Sequence, residues 1–143
     1  MSERMTKAKT LLQGGYTCAL YTETQVFKSE KRGVAPLLEW LESGENFHGF
    51  SAADKVVGKA AAFLYVLLGV EQVYALVLSE AAESVFQAYH IPVYYEEKVA
   101  AIRNRSNTGF CPMEQAVLDL NDPKKAHEAI LKKLQELKKE VIS

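Results

Sequence analysis

Gln72-Val73-Tyr74-Ala75-Leu76-Val77-Leu78, followed by a helix-like stretch from Glu80 to Tyr89 and then by Ile91-Pro92-Val93-Tyr94-Tyr95, decides the fold. The first segment is apolar without interruption after its glutamine. Strands of that kind lie inside a sheet covered on both faces. A strand, a helix and a second strand in so short a span make a crossover, and a crossover pairs its strands in parallel. Pro92 lacks an amide proton, which puts the second strand at an edge or the proline among its first residues.

Upstream, Arg4 to Gln13 reads as a helix stopped by Gly14-Gly15. Tyr16 to Tyr21 and Gln25 to Ser29 read as a hairpin turning at Thr22-Glu23-Thr24. Pro36 opens a short helix from Leu37 to Leu41, and Ser43 to Phe50 is a loop. Ser51 reads as the N-cap of a helix running to Leu68 and ending at Gly69. This helix is apolar all round after Lys59, so it is expected to be buried on every side.

Downstream, Glu97 to Ile102 reads as a helical turn and Arg103 to Gly109 as a polar loop. Cys111 caps a short helix from Pro112 to Leu118. Asn121-Asp122-Pro123 starts a last helix with an apolar stripe of Ala126, Ile130, Leu134, Leu137 and Val141. The chain reads as one domain over 1–143, with the helices at 4–13 and 123–142 as additions. The architecture is a three-layer α/β/α sandwich around a mixed sheet.

Composition narrows the function. Hydrophobic residues make up 48% of the 143 residues, enough for a core. Seventeen basic and eighteen acidic side chains leave a net charge of -1. No global field draws nucleic acid or an anionic membrane. The longest apolar run, Ala60 to Val70, is too short to span a bilayer. Met1 to Lys7 is polar and does not read as a secretory leader. Two cysteines, Cys18 and Cys111, do not suggest a disulfide framework, and the expected compartment is the reducing cytoplasm.

Two segments carry candidate chemistry. In Asp54-Lys55-Val56-Val57-Gly58-Lys59-Ala60, helical spacing puts Lys55 and Lys59 on one face and Asp54 in the first turn, where the dipole favours an anion. Lys59, next to an alanine run, is a candidate base, nucleophile or anion anchor. The plainer reading sends both lysines to water. In Cys111-Pro112-Met113-Glu114, Glu114 at the third helical position reaches back to the Cys111 amide as a capping box. That leaves the thiol at a helix mouth, where its pKa falls. Cys18, in a strand, reads as core. Arg103, Asn104 and Arg105 form a polar loop that suits an anion and a polar edge, or simply solvent. His48, His90 and His127 are scattered, so no metal site is expected, and no cofactor.

Asp54-Lys55-Val56-Val57-Gly58-Lys59-Ala60, Asn104-Arg105 and Cys111-Pro112-Met113-Glu114 together resemble a small prokaryotic family of unknown function with a cytidine-deaminase-like fold. The resemblance runs from Tyr16 to Leu118. It implies a hairpin and then a helix that, in true deaminases, begins with a zinc-binding His-Ala-Glu; the matching place here is Ala52-Ala53-Asp54-Lys55. The Pro-Cys-x-x-Cys place reads Ser79-Glu80-Ala81-Ala82-Glu83. Neither holds a zinc ligand, and deamination needs that metal. What carries over is the fold and the pocket location.

Three functions are compatible with this reading. The first is a zinc-independent enzyme acting on a small polar or anionic, nucleotide-like molecule, with Cys111, Lys59, Asp54 and Lys55 as catalytic groups and Arg103, Asn104, Arg105 and Glu114 as ligand contacts. The second is a catalytically inactive ligand-binding or regulatory module. The third is an interaction domain whose last helix seats a partner or a second copy.

Overall fold

The computed structural model describes residues 3–103 and 111–142. Helix α1 (Glu3–Gln13) leads into the hairpin β1 (Cys18–Tyr21) and β2 (Val26–Ser29). Helix α2 (Ala35–Glu42) follows, with Pro36 in its first turn. Strand β3 (Ser51–Val57), helix α3 (Lys59–Leu68), strand β4 (Gln72–Ser79), helix α4 (Glu80–Ala88) and strand β5 (Val93–Val99) alternate. Helices α5 (Pro112–Val117) and α6 (Pro123–Ile142) complete the chain.

The sheet has five strands in the order β2-β1-β3-β4-β5. β1 is antiparallel to both β2 and β3, while β3, β4 and β5 are parallel. The crossover expected between Val73 and Tyr95 is therefore present, and β4 lies inside the sheet as its apolar run requires. Pro92 sits just ahead of the edge strand, and its carbonyl accepts from the Val73 amide at 3.0 Å.

One expected helix divides. Ser51 is not the N-cap of this helix: Ser51–Val57 is a strand, and the helix begins only at Lys59, with Gly58 as its N-cap. Val56 and Val57 are β-branched and poor in a helix. Pairing on both sides, to β1 and β4, then overrides the modest strand propensity of Ala52 and Ala53. A second correction concerns Glu97 to Ile102. Glu97, Lys98 and Val99 extend β5 in register with Val77, Leu78 and Ser79, so no helical turn forms there.

Two layers of side chains flank the sheet. On one face, Ala8 and Leu12 of α1 pack on Ala19, Tyr21, Ala53 and Tyr74. On the other face the main core gathers β-strand residues with α2, α3, α4, α5 and α6. α3 is buried on nearly every side, with Ala60, Ala62, Phe63, Leu64 and Tyr65 all at or below 2% exposure. The amphipathic α6 docks Ala126 and Ile130 into this core. It packs mainly on α3 and α5. No described helix is long and apolar enough to cross a membrane.

Candidate functional site

The end of β3 and the start of α3 meet α5, as the sequence suggested, but through contacts of another kind. Glu114 does not reach back to Cys111. Its Oε1 accepts from the Lys59 amide at 2.7 Å and its Oε2 from the Ala60 amide at 3.1 Å. Those are orphan donors of the first turn of α3, and a carboxylate suits the positive end of the helix. Gly58 explains how the carboxylate enters. Its backbone (φ -99°, ψ -175°) is open to any residue, so conformation does not demand glycine. Space does: a Cβ on Gly58 would stand 1.4 Å from Glu114 Oε1 and 3.0 Å from Ile102 Cγ1.

Lys59 returns the favour. Its Nζ donates to the Leu118 carbonyl at 2.8 Å, at the C-terminal end of α5, and lies 5.8 Å from the centroid of Phe63. A cation there complements the last carbonyls of a helix. The two helices thus cap one another, α5 supplying the acid for α3 and α3 the amine for α5. Burial pushes the Glu114 carboxyl above its ordinary range, outweighing the Ala60 and Lys59 amides and the Lys59 charge.

Asp54 is spent differently. It sits on β3 opposite Cys18 of β1, not in a helical turn. Its Oδ2 accepts from the Tyr65 hydroxyl at 2.7 Å and its Oδ1 from the Val56 amide at 3.3 Å. Burial raises its pKa to about 7 in spite of the Tyr65, Val56 and Lys55 hydrogen bonds. Burial also raises the Tyr65 hydroxyl, with help from Asp54 and Cys18, and raises the Cys18 thiol, with help from Asp54.

Lys55 follows Asp54 in the strand, so its side chain leaves by the other face of the sheet. It does not share a helical face with Lys59. Its amide donates to the Thr17 carbonyl at 3.0 Å. Cys111 is the N-cap of α5 but makes no side-chain cap bond. Its amide donates to Ile102, and the half-buried residue packs against the main core. Cys18 is core, 2% exposed. Arg103 is exposed at the end of the described segment, and Asn104 and Arg105 lie outside the described residues. His48 is exposed and lies against Gly69.

The family model for TM1506, a domain of unknown function (DUF1893), matches residues 6–134. The chain belongs to the DUF1893 family. A crystal structure of a DUF1893 family protein (TM1506) from Thermotoga maritima, at 2.70 Å resolution, is similar to it with a TM-score of 0.85 and 25% sequence identity. The similarity covers 93% of this chain and 92% of that one. No curated protein matches the chain at a significant level.

Within this DUF1893 chain, sequence reasoning missed two participants. Tyr65 was recoverable in principle: in a helix apolar on all sides, its hydroxyl is a polar atom that needs a buried partner. Gly58 was recoverable from two valines followed by glycine, a strand ending rather than a helix interior. The Glu114 contact was not, because it joins residues 55 positions apart. The place matched to His-Ala-Glu also moves: Ala52 to Lys55 are strand residues, and the helix start reads Gly58-Lys59-Ala60. The next helix start reads Ser79-Glu80-Ala81, with Ser79 capping the Ala82 amide. Neither start supplies a histidine or cysteine, so these residues do not fit a deaminase zinc. Among the described residues no three His, Cys, Asp or Glu side chains cluster for a metal.

Proposed function

We propose that this DUF1893 chain is a catalytically inactive ligand-binding or regulatory module on a cytidine-deaminase-like scaffold. The observation that carries the reading is the reciprocal capping of α3 and α5. Lys59 and Glu114, two of the groups best suited to chemistry, are engaged with Leu118 and with the Lys59 and Ala60 amides. Asp54, a third, is held by Tyr65. A general acid or base must reach a substrate proton, and these atoms reach their own chain instead.

The scaffold part of the reading is supported by the hairpin that precedes three parallel strands, and by α3 and α4 starting directly at the ends of β3 and β4. In open α/β sheets ligands bind outside the carboxyl ends of the strands. Arg103, just beyond β5, stands at that same end, and a small anionic, nucleotide-like molecule suits it.

The test is a thermal-shift panel of nucleoside phosphates and small carboxylates, with mass spectrometry of the mixtures. The expected result is a shift with at least one compound, no turnover, and the same shift in Cys111→Ala. A second reading, a cysteine-dependent enzyme, rests on Cys111 being the candidate whose thiol caps nothing. Turnover that vanishes in Cys111→Ala would establish it and remove the first.

A further inference from the structure

β3, β4 and β5 share an irregularity at one level of the sheet. On a regular strand, residues two apart face the same side and residues three apart face opposite sides. Asp54 bonds to Tyr65 of α3, yet Val57, three residues on, enters the same core. Ala75 and Leu78 both enter that core as well. On β5 the Lys98 amine lies 5.8 Å from the Tyr95 ring centroid and pairs with Glu83 of α4 at 3.1 Å. The pleat therefore reverses once in each strand, at a common level. The ladder breaks there too. Ala75 and Val77 pair with β3 and β5, whereas Leu76 pairs with neither Lys55 nor Glu96. An ordinary bulge puts an extra residue in one strand. Here three strands carry it together, and the register resumes unchanged with Val57, Leu78 and Lys98 side by side.

The sheet is built differently on the two sides of this level. Before it, β1 and β2 widen the sheet, and α1 covers the second face at Ala53 and Tyr74. β1 pairs with β3 no further than Asp54. Beyond it, among the described residues, only β3, β4 and β5 continue. Val56 is 47% exposed, Glu97 is exposed and Val77 is half-buried, so burial there is confined to the α3 and α4 face. A segment with an interrupted ladder and few buried contacts opens at a lower free energy than its surroundings. The ties of this end are its own. Ser79 Oγ accepts from the Ala82 amide at 3.0 Å, Lys98 pairs with Glu83, and Glu114 accepts from the Lys59 and Ala60 amides straight after β3.

We propose that the level of Lys55, Leu76 and Glu96 is a hinge line across the sheet. The strand ends beyond it, residues 56–57, 77–79 and 97–99, open together with the first turns of α3 and α4 while the remainder stays folded. Glu114 is the latch that keeps this unit closed. Its use is to let the carboxyl ends of the strands adapt to a ligand, and that use rests on the function proposed above; the hinge itself does not.

Native-state hydrogen exchange by NMR, at low urea concentrations, tests this. Protected amides of 77–79 and 97–99 are expected to exchange as one group, with a common free energy below that of the amides of 18–21, 51–54 and 72–75. Two variants separate the groups. Glu114→Ala weakens the closed state against both openings, so it is expected to accelerate both groups, by roughly 30-fold. Leu12→Ala, buried under α1 before the hinge line, is expected to accelerate only the second group, by roughly 30-fold or more. Leu12→Val gives the same pattern at smaller size if Leu12→Ala does not fold. One exchange free energy on both sides of the line, strand-end amides that Glu114→Ala leaves unmoved, or strand-end amides that the Leu12 variant accelerates as much as the rest overturns the proposal. No ligand enters the measurement, so a thermal-shift panel without hits would remove the proposed function and leave the hinge standing.

Discussion

Asp54, buried, and Glu114, half-buried, are two acids close to the α3 start, and they are accommodated in opposite ways. Asp54 lies within the sheet and leans on a side-chain hydroxyl and its own strand's amide. Glu114 arrives from another helix and lies on the first two amides of α3, with a lysine nearby. Burial raises both, and it carries Asp54 to about 7 even though the Tyr65 hydroxyl and the Val56 and Lys55 bonds pull the other way. The difference teaches that burial alone does not define a role. What counts is what the donors need: the helix-end amides at Lys59 and Ala60 have no other acceptor in their helix, whereas Tyr65 brings a hydroxyl from across the core.

The largest expected effect follows from Asp54. Its folded pKa lies above the unfolded value, so its contribution is fully present below about pH 4 and is lost as pH rises through 7. A shift of that size corresponds to about 4 kcal/mol. Urea unfolding of wild type is expected to weaken across that window, and Asp54→Asn to flatten the profile. Identical slopes in the two proteins would break the contrast between the acids.

Next comes Glu114→Ala. Two helix-end amides lose their acceptor in a partly buried setting, and a loss of about 2 kcal/mol is expected. Chemical denaturation at constant pH measures it, and a loss below about 0.5 kcal/mol would mean that water replaces the carboxylate. The smallest effect belongs to Lys59→Met. The Phe63 contact survives while the bond to the Leu118 carbonyl goes, at a cost of about 0.5–1 kcal/mol. Equal costs for Lys59→Met and Glu114→Ala would show that the two halves of the clasp are not ranked as the geometry ranks them.

Much of the fold was legible from local patterns. The continuous run in β4, the proline ahead of β5 and the all-apolar α3 each state their environment within a few residues. β3 was not legible, because Ala52, Ala53, Asp54 and Lys55 suit a helix start locally and become a strand only through β1 and β4. For the candidate site, the meeting of the α3 start with α5 was foreseeable, since both segments carried charge in apolar company. The partners were not. Glu114 looked like a capping box for its own helix, and nothing local distinguishes that from a cap given to a helix 55 positions away.

The clasp itself is tested most directly by a double-mutant cycle of Gly58→Ala and Glu114→Ala. The Cβ at position 58 competes with the Glu114 carboxylate for one volume. Gly58→Ala is therefore expected to cost about 2 kcal/mol alone and to cost little once Glu114 is alanine, a coupling of about 1–2 kcal/mol. Additive losses would contradict a carboxylate seated on α3 and leave Glu114 free for another task.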